Sequence, residues 1–443
     1  MMKTLSYVAI LGAVAALASC RLDGKYTVGG IVTGLRGTGL VLEDNSGSDL
    51  SFTASGTFTF GKSVSTGHTY AVTVRTQPSN PTQTCTVQNG SGTIDKRDVT
   101  NVVVNCTQAG RFAYVANQSA NNISAFSIDA TTGALSAIAG SPFASTGSAP
   151  VAVAVDPNGT FLYVANNASN NVTVYAINDA TGVLTPAGVA IATGQGPSAI
   201  AIDPTDHFLY VANSSDNTVS AFAIGSSGVA TAISGSPFAV GRKPIALRTD
   251  PSGNFVYVAD FTDGNVAVLS IDPASGALTS ISASPFGAGV GVGADSIAID
   301  PTGAFAYVAN ETAATISSYT VNSSTGALTA VSGSPLSTGS APESLAVDPA
   351  GKFVYAANVT SKNEVATYAV TAGSGALTLM ATSGAGSFPL SIAVDPMGQF
   401  VYAANDSSGN VSVFTVDAAT GTLAAVAGSP FSAGGGARSI AID

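Results

Sequence analysis

Ala437-Arg-Ser-Ile-Ala-Ile-Asp443 begins a unit that the chain does not finish. The same stretch recurs as SIAID at Ser296–Asp300, SLAVD at Ser344–Asp348 and SIAVD at Ser391–Asp395, where it runs on through a Pro-x-Gly turn into a strand such as Tyr-Val-Ala-Asn. After Asp443 nothing follows. Near the start of the repeats, Arg111-Phe-Ala-Tyr-Val-Ala-Asn117 has no such stretch ahead of it. Each end holds what the other lacks, so the array is expected to close into a ring in which the last strand completes the first unit.

The period sets the size of the ring. Asp156, Asp203, Asp250, Asp300, Asp348, Asp395 and Asp443 are spaced by 47 to 50 residues, and Tyr114, Tyr163, Tyr210, Tyr257, Tyr307, Tyr355 and Tyr402 keep the same step. That period matches a four-stranded blade rather than most solenoid units. We therefore expect an all-β chain with a seven-bladed β-propeller over 108–443. Alternation along the first strand of each unit explains the stacking. The residue two before each Asp is Ala in six of the seven copies, and the residue four before is always Ala or Ser. Those one and three before are nearly all Val, Ile or Leu, which gives each inner strand one small face and one bulky face.

The chain opens differently. Residues 1–20 place one Lys ahead of an apolar run, Leu5 to Leu17, that is shorter than a membrane span. Leu17-Ala-Ser-Cys20 is similar to a bacterial lipobox. That resemblance implies a lipoprotein signal peptide, cleavage before Cys20 and a lipid on Cys20. Arg21 stands where an Asp would retain such a protein at the inner membrane, so an outer-membrane anchor at the cell envelope is expected. The other two cysteines, Cys85 and Cys106, lie on neighbouring expected strands of an exported chain and read as a disulfide.

Residues 21–107 show short strand-like runs between Gly, Ser, Asn and Asp clusters and no helical period. They resemble Ig-like or prealbumin-like sandwiches, and we expect a small all-β spacer domain stapled by Cys85 and Cys106. So few residues bury a limited core, which gives the staple its purpose.

Most recurring polar residues read as structure. Asp-Pro-x-Gly is turn chemistry, and seven aspartates in seven copies exceed what catalysis needs. The Asn of each Tyr-Val-Ala-Asn is read as a turn residue too. The Gly289-Val-Gly-Val-Gly293 run joins strand to strand and opens no helix, so it is not a phosphate loop. No cofactor or metal site is expected.

The units, with DPxGxFxYVAN, TGxLT and SPF, resemble the lactonase family of seven-bladed propellers and its YVTN repeats over 108–443. The family includes 6-phosphogluconolactonases and muconate-lactonising enzymes, and the resemblance implies His, Arg and acidic groups at the mouth of the central channel. This propeller has one histidine, His207, in the turn after Asp203. The strand between puts it roughly 16 Å from the mouth, so it is expected to miss it.

Charge marks that mouth. Five residues before each Asp the ring reads Val151, Ser198, Ile245, Asp295, Glu343, Leu390 and Arg438, with Arg242 and Lys243 just ahead of Ile245. Arg248 stands where six copies have Ala, and Asp295 of the next blade is its expected partner. The candidate ligand-binding set is Arg242, Lys243, Arg248, Asp295, Glu343 and Arg438. From Gln108 on there are 20 acidic and 7 basic residues, which disfavours nucleic acid and phosphorylated substrates. Two functions stand: a binding or interaction scaffold for a small ligand, glycan or protein partner, and a lactone hydrolase with Glu343 or Asp295 as base and Arg438, Arg242 or Lys243 at the oxyanion. Without a histidine at the mouth the scaffold is the first reading, as a monomer held to the membrane by its lipid.

Overall fold

The structure is a computed structural model that describes residues 24–35, 38–45, 47–79, 83–107, 111–287, 293–359 and 362–443. The leader with Cys20, Arg21 and most of the Gly289–Gly293 run lie outside these residues. Every element among the described residues is a β-strand.

The first part is a pair of four-stranded sheets. One orders Gly56–Thr59, Val28–Thr33, Val99–Thr107 and Thr84–Gln88; the other orders Asp49–Phe52, Leu40–Asp44, Thr69–Thr76 and Ser91–Thr93. Alternation buries Val28, Val32, Leu40, Leu42, Val102 and Val104 between them in one core. Cys85 and Cys106 face each other across the antiparallel pair Thr84–Gln88 and Val99–Thr107, and they form a disulfide.

The rest is a ring of seven blades. We number the blades by their second strands, from Phe112–Asn117 in blade 1 to Phe400–Asn405 in blade 7. The inner strand of blade 1 is Ala437–Ile442, which pairs antiparallel with Phe112–Asn117. Two main-chain bonds lock that closure, Asp443 N to Phe112 O at 2.9 Å and Arg111 N to Asp443 O at 3.4 Å. The inner strands of blades 2 to 7 are Pro150–Val155, Pro197–Ile202, Pro244–Thr249, Ala294–Ile299, Pro342–Val347 and Pro389–Val394.

The recurring Asp-Pro-x-Gly turn has a physical task. In blade 2 Asp156 Oδ1 accepts the amides of Thr160 at 2.6 Å and Phe161 at 2.7 Å, and Gly159 takes φ 60°, which a side chain disfavours. The expected fourth strand departs from one continuous run. In six blades it is split into two short pieces, such as Leu135–Ala137 and Phe143–Ala144. In most of them the break falls at Ser-Pro, whose proline has no N–H for the ladder. Blade 6 lacks Ser-Pro-Phe there, and its outer strand runs unbroken from Leu377 to Gly384.

The asparagines that end the second strands are not turn residues. Asn117 is buried, and its Nδ2 donates to Asn122 Oδ1 at 2.7 Å and Ser124 Oγ at 2.8 Å on the third strand. Blades 2, 3, 5 and 7 repeat this clamp with Asn166, Asn213, Asn310 and Asn405. It satisfies the buried Nδ2 donors, which would otherwise destabilise the blade.

Candidate functional site

Inner strands expose one backbone edge to the central axis, so whatever projects from their first residues meets at one end of the bore. There the ring encloses a cavity of about 400 Å³ whose wall includes Lys243, Arg248, Asp295, Glu343 and Arg438. Val151, Ile245 and Leu390 supply its apolar part. Five of the six candidate residues therefore converge. Arg242 does not: it turns outward, and its Nε bonds Asp263 Oδ1 at 2.6 Å. Its own loop amide also donates to Asp263, which fixes the guanidinium away from the bore.

The centre of the site is a carboxyl pair. Asp295 on blade 5 and Glu343 on blade 6 are hydrogen-bonded to each other at the mouth. Burial first, and then the Glu343 charge, pushes Asp295 well above the usual carboxylate range; burial and the charge of Glu311 push Glu343 up as well. Their hydrogen bond raises Asp295 and lowers Glu343, so it favours the proton on Asp295 and the charge on Glu343. Arg438 from blade 1 draws both values down and balances the remaining charge.

Arg248 does not pair with Asp295. Its Nη1 donates to Leu247 O at 3.1 Å, and it makes no ion pair among the described residues. The side chain fills the bore, where it reaches solvent while the surrounding strands strip its hydration and lower its pKa. A guanidinium keeps its charge even so. Position explains the difference: two residues before the turn Asp, Arg248 sits deeper along the strand than Asp295, five before. It borders both the mouth cavity and the lower shaft. Lys243 marks the rim with its Nζ 4.0 Å from the centre of the Phe261 ring.

His207 misses the cavity, as expected, and its Nδ1 lies 2.9 Å from Thr205 Oγ1 in the turn after Asp203. Glu311 escaped the reading of the inner strands because it follows a second strand, directly after Asn310. Its signal was present in the sequence, since the equivalent positions hold Gln118, Asn167, Ser214, Phe261, Val359 and, as the one other acid, Asp406. The arrangement supplies a proton donor, a proton acceptor and three cations around a space large enough for a sugar-sized molecule.

A family model described as "Lactonase, 7-bladed beta-propeller" matches residues 70–196, 186–293 and 288–437. Among solved structures, a candidate 6-phosphogluconolactonase from Bacteroides uniformis superposes with a TM-score of 0.66 at 19% identity, covering 76% of this chain and 100% of that one. Its counterpart from Bacteroides fragilis gives 0.66 at 19%, covering 76% and 98%. The periplasmic gluconolactonase of Pseudomonas aeruginosa gives 0.61 at 19%, covering 75% and 98%. At such identities these likenesses speak for the fold. No curated protein matches the sequence.

Proposed function

This chain belongs to the seven-bladed β-propeller Lactonase family, and from that membership we propose that it hydrolyses a small neutral lactone at the mouth of its channel. The observation that carries the reading is the Asp295–Glu343 carboxyl pair on the cavity wall beside Arg438, with the proton favoured on Asp295. Two adjacent carboxyls of which only one ionises are an acid and a base in one site, the logic of the aspartic-protease dyad.

Glu343, as carboxylate, takes a proton from water while the water oxygen adds to the lactone carbonyl carbon. Asp295 then gives its proton to the ring oxygen as the ring C–O bond breaks, releasing a hydroxy acid. The hydrogen bond between the two carboxyls returns the proton from Glu343 to Asp295 and resets the pair. Arg438 holds the net charge of the mouth near neutral, where Asp295, Glu343 and Glu311 face Arg438, Arg248 and Lys243. With no excess of cations over carboxyl groups there, the mouth favours a neutral ring over a phosphate ester.

The test is hydrolysis of D-glucono-1,5-lactone above its spontaneous rate, followed by proton release. Glu343→Gln is expected to lower turnover by 10²- to 10⁴-fold, the usual contribution of a positioned base. The rate should be bell-shaped in pH, falling on the acid side as Glu343 is protonated and on the alkaline side as Asp295 loses its proton. Wild-type turnover no faster than water, or full activity in the Gln variant, would refute the hydrolase.

A second reading, a scaffold that binds without turnover, is favoured by the absence of a histidine from the cavity wall. Saturable binding of the lactone with no acid release would select it. In either case we propose export and anchoring through a lipid on Cys20, with the 21–107 sandwich as the spacer, and Cys20→Ala should release the protein from membranes.

A further inference from the structure

The wall of the mouth cavity is chemically two-sided. Blades 4 to 6 bring Lys243, Arg248, Asp295 and Glu343, and Arg438 is the one charge that blade 1 adds. Blades 1 to 3 also bring neutral polar side chains from another position of the repeat, the residue directly after the second strand. These are Gln118, Asn167 and Ser214, all half-buried on the wall. The equivalent Phe261, Glu311, Val359 and Asp406 of blades 4 to 7 do not border the cavity. In a ring of seven, blade 2 lies opposite the junction of blades 5 and 6, so the neutral side faces the Asp295–Glu343 pair across the bore.

The neutral side chains differ in how much of their bonding is already committed. Asn167 Nδ2 donates to Pro197 O at 3.0 Å and Ser214 Oγ to Gly196 O at 2.8 Å, which ties both to neighbouring loops. The serines of the wall are engaged too. Ser198 donates to Pro244 O at 2.8 Å, while Ser296, Ser344, Ser391 and Ser439 each accept a main-chain N–H of the next blade. Gln118 is anchored by its main chain, N to Gly436 O at 2.8 Å, and its side-chain amide bonds nothing among the described residues. Such an amide offers an acceptor, Oε1, beside a donor, Nε2. That pair matches two neighbouring hydroxyls, one donating and one accepting.

We infer that Gln118 reads hydroxyl groups on the ring edge turned away from the lactone carbonyl, and so selects lactones hydroxylated there over plain ones. The inference rests on the hydrolase reading for turnover, and on the cavity wall alone for binding. In a six-membered lactone the carbonyl carbon and the ring oxygen are neighbours, and carbons 3 and 4 lie across the ring from them. With the carbonyl and ring oxygen at Glu343 and Asp295, hydroxyls on carbons 3 and 4 point to blades 1 to 3. There Gln118 Oε1 accepts from one and Nε2 donates to the other. Holding that far edge fixes the rotation of the ring in the bore, which keeps the carbonyl carbon in front of the water that Glu343 activates.

Gln118→Met tests this, because it keeps the reach of the side chain and removes its donor and acceptor. It should raise KM for D-glucono-1,5-lactone by about 10-fold, the size of losing a pair of neutral hydrogen bonds, and change kcat little. δ-Valerolactone, the same ring without hydroxyls, should be turned over as in the wild type. The melting temperature should stay put, since the amide bonds nothing in the fold. Binding is read separately by calorimetry with D-glucono-1,5-lactam, which carries the same hydroxyls on a ring that resists hydrolysis, and with 2-piperidone, its plain counterpart. The lactam should bind the wild type about 10-fold more tightly than Gln118→Met, and 2-piperidone should not distinguish them. If no lactone is turned over while the lactam keeps that preference, the hydrolase falls and the hydroxyl contact stands. Turnover in which Gln118→Met keeps the wild-type ratio of the two lactones, or a lactam that binds both proteins alike or neither, overturns the contact and leaves the hydrolase reading to its own test.

Discussion

Asp260 stands where five other blades clamp their second and third strands with an asparagine amide, and it cannot make that clamp as a carboxylate. Its neighbours are Asn265, whose Oδ1 needs a donor, and Ala267, where those five blades have Ser or Thr. Burial pushes Asp260 up to about 7, and the nearby Gly241 amide offsets only part of that; neither carboxyl oxygen has a well-formed hydrogen bond. In the unfolded chain the group titrates near the ordinary 3.8. Between those values the folded state keeps a proton that the unfolded state has lost, so stability is full below about 4 and falls as pH rises to about 7. At about 1.4 kcal/mol per unit the loss is of the order of 4 kcal/mol. Asp260→Asn should flatten much of that slope and raise the melting temperature at pH 8 while changing little at pH 4. Asp156, pushed up to about 7 by burial and by Asp206, keeps a slope of the same sign in the variant. An unchanged difference between pH 4 and pH 8 would show that Asp260 is already ionised in the fold.

The recurring tyrosines join neighbouring blades through their hydroxyls. Tyr163 Oη donates to Gly228 O at 2.9 Å and Tyr210 Oη to Gly276 O at 3.0 Å, each to the outer turn of the next blade. Tyr307 and Tyr355 stand at the same point with no hydroxyl partner. Tyr210→Phe should therefore cost about 1 kcal/mol and Tyr307→Phe almost nothing, both read from the denaturant midpoint at equal m. Equal losses would mean that ring packing rather than the hydroxyl joins the blades. The strands that carry these residues were legible because period-2 alternation and Asp-Pro-x-Gly turns are local signals. The buried role of the Asn was not, because its Ser or Thr partner lies across a ladder, seven residues on. The outer strand was legible as an element of a four-stranded blade, but its division into two pieces, in most blades at Ser-Pro, was not.

At the scale of the ring, closure was legible and the chemistry only half so. The charges at the mouth stood out at one position of the repeat, and the cavity gathers Asp295, Glu343 and Arg438 as their spacing implied. Which of them touch was not readable, since Arg248 and Asp295 on adjacent blades sit at different depths, while Asp295 and Glu343 share one depth and so meet. Alanine and serine four before each Asp looked equivalent as small residues; only the ring shows that the serines also accept a main-chain N–H of the next blade. The closing strand itself is the sharpest whole-molecule test. Ala437–Ile442 makes five residue pairings with Phe112–Asn117 and buries Ala437 and Ile440 in the core shared with blade 7. Ser439 also bonds Val153 N and Ile440 N bonds Ser391, so the strand links blade 1 to both neighbours. Each lost hydrogen bond is worth ~1 kcal/mol before apolar burial, against a native stability of ~5–15 kcal/mol. A chain ending at Gly436 should also present Phe112–Asn117 as an open edge, ready to pair with another copy. It is expected to aggregate on size-exclusion chromatography or to melt far below the full-length protein. A truncated chain that stays monomeric and melts with the intact one would mean that six blades hold the ring without the strand that completes the first.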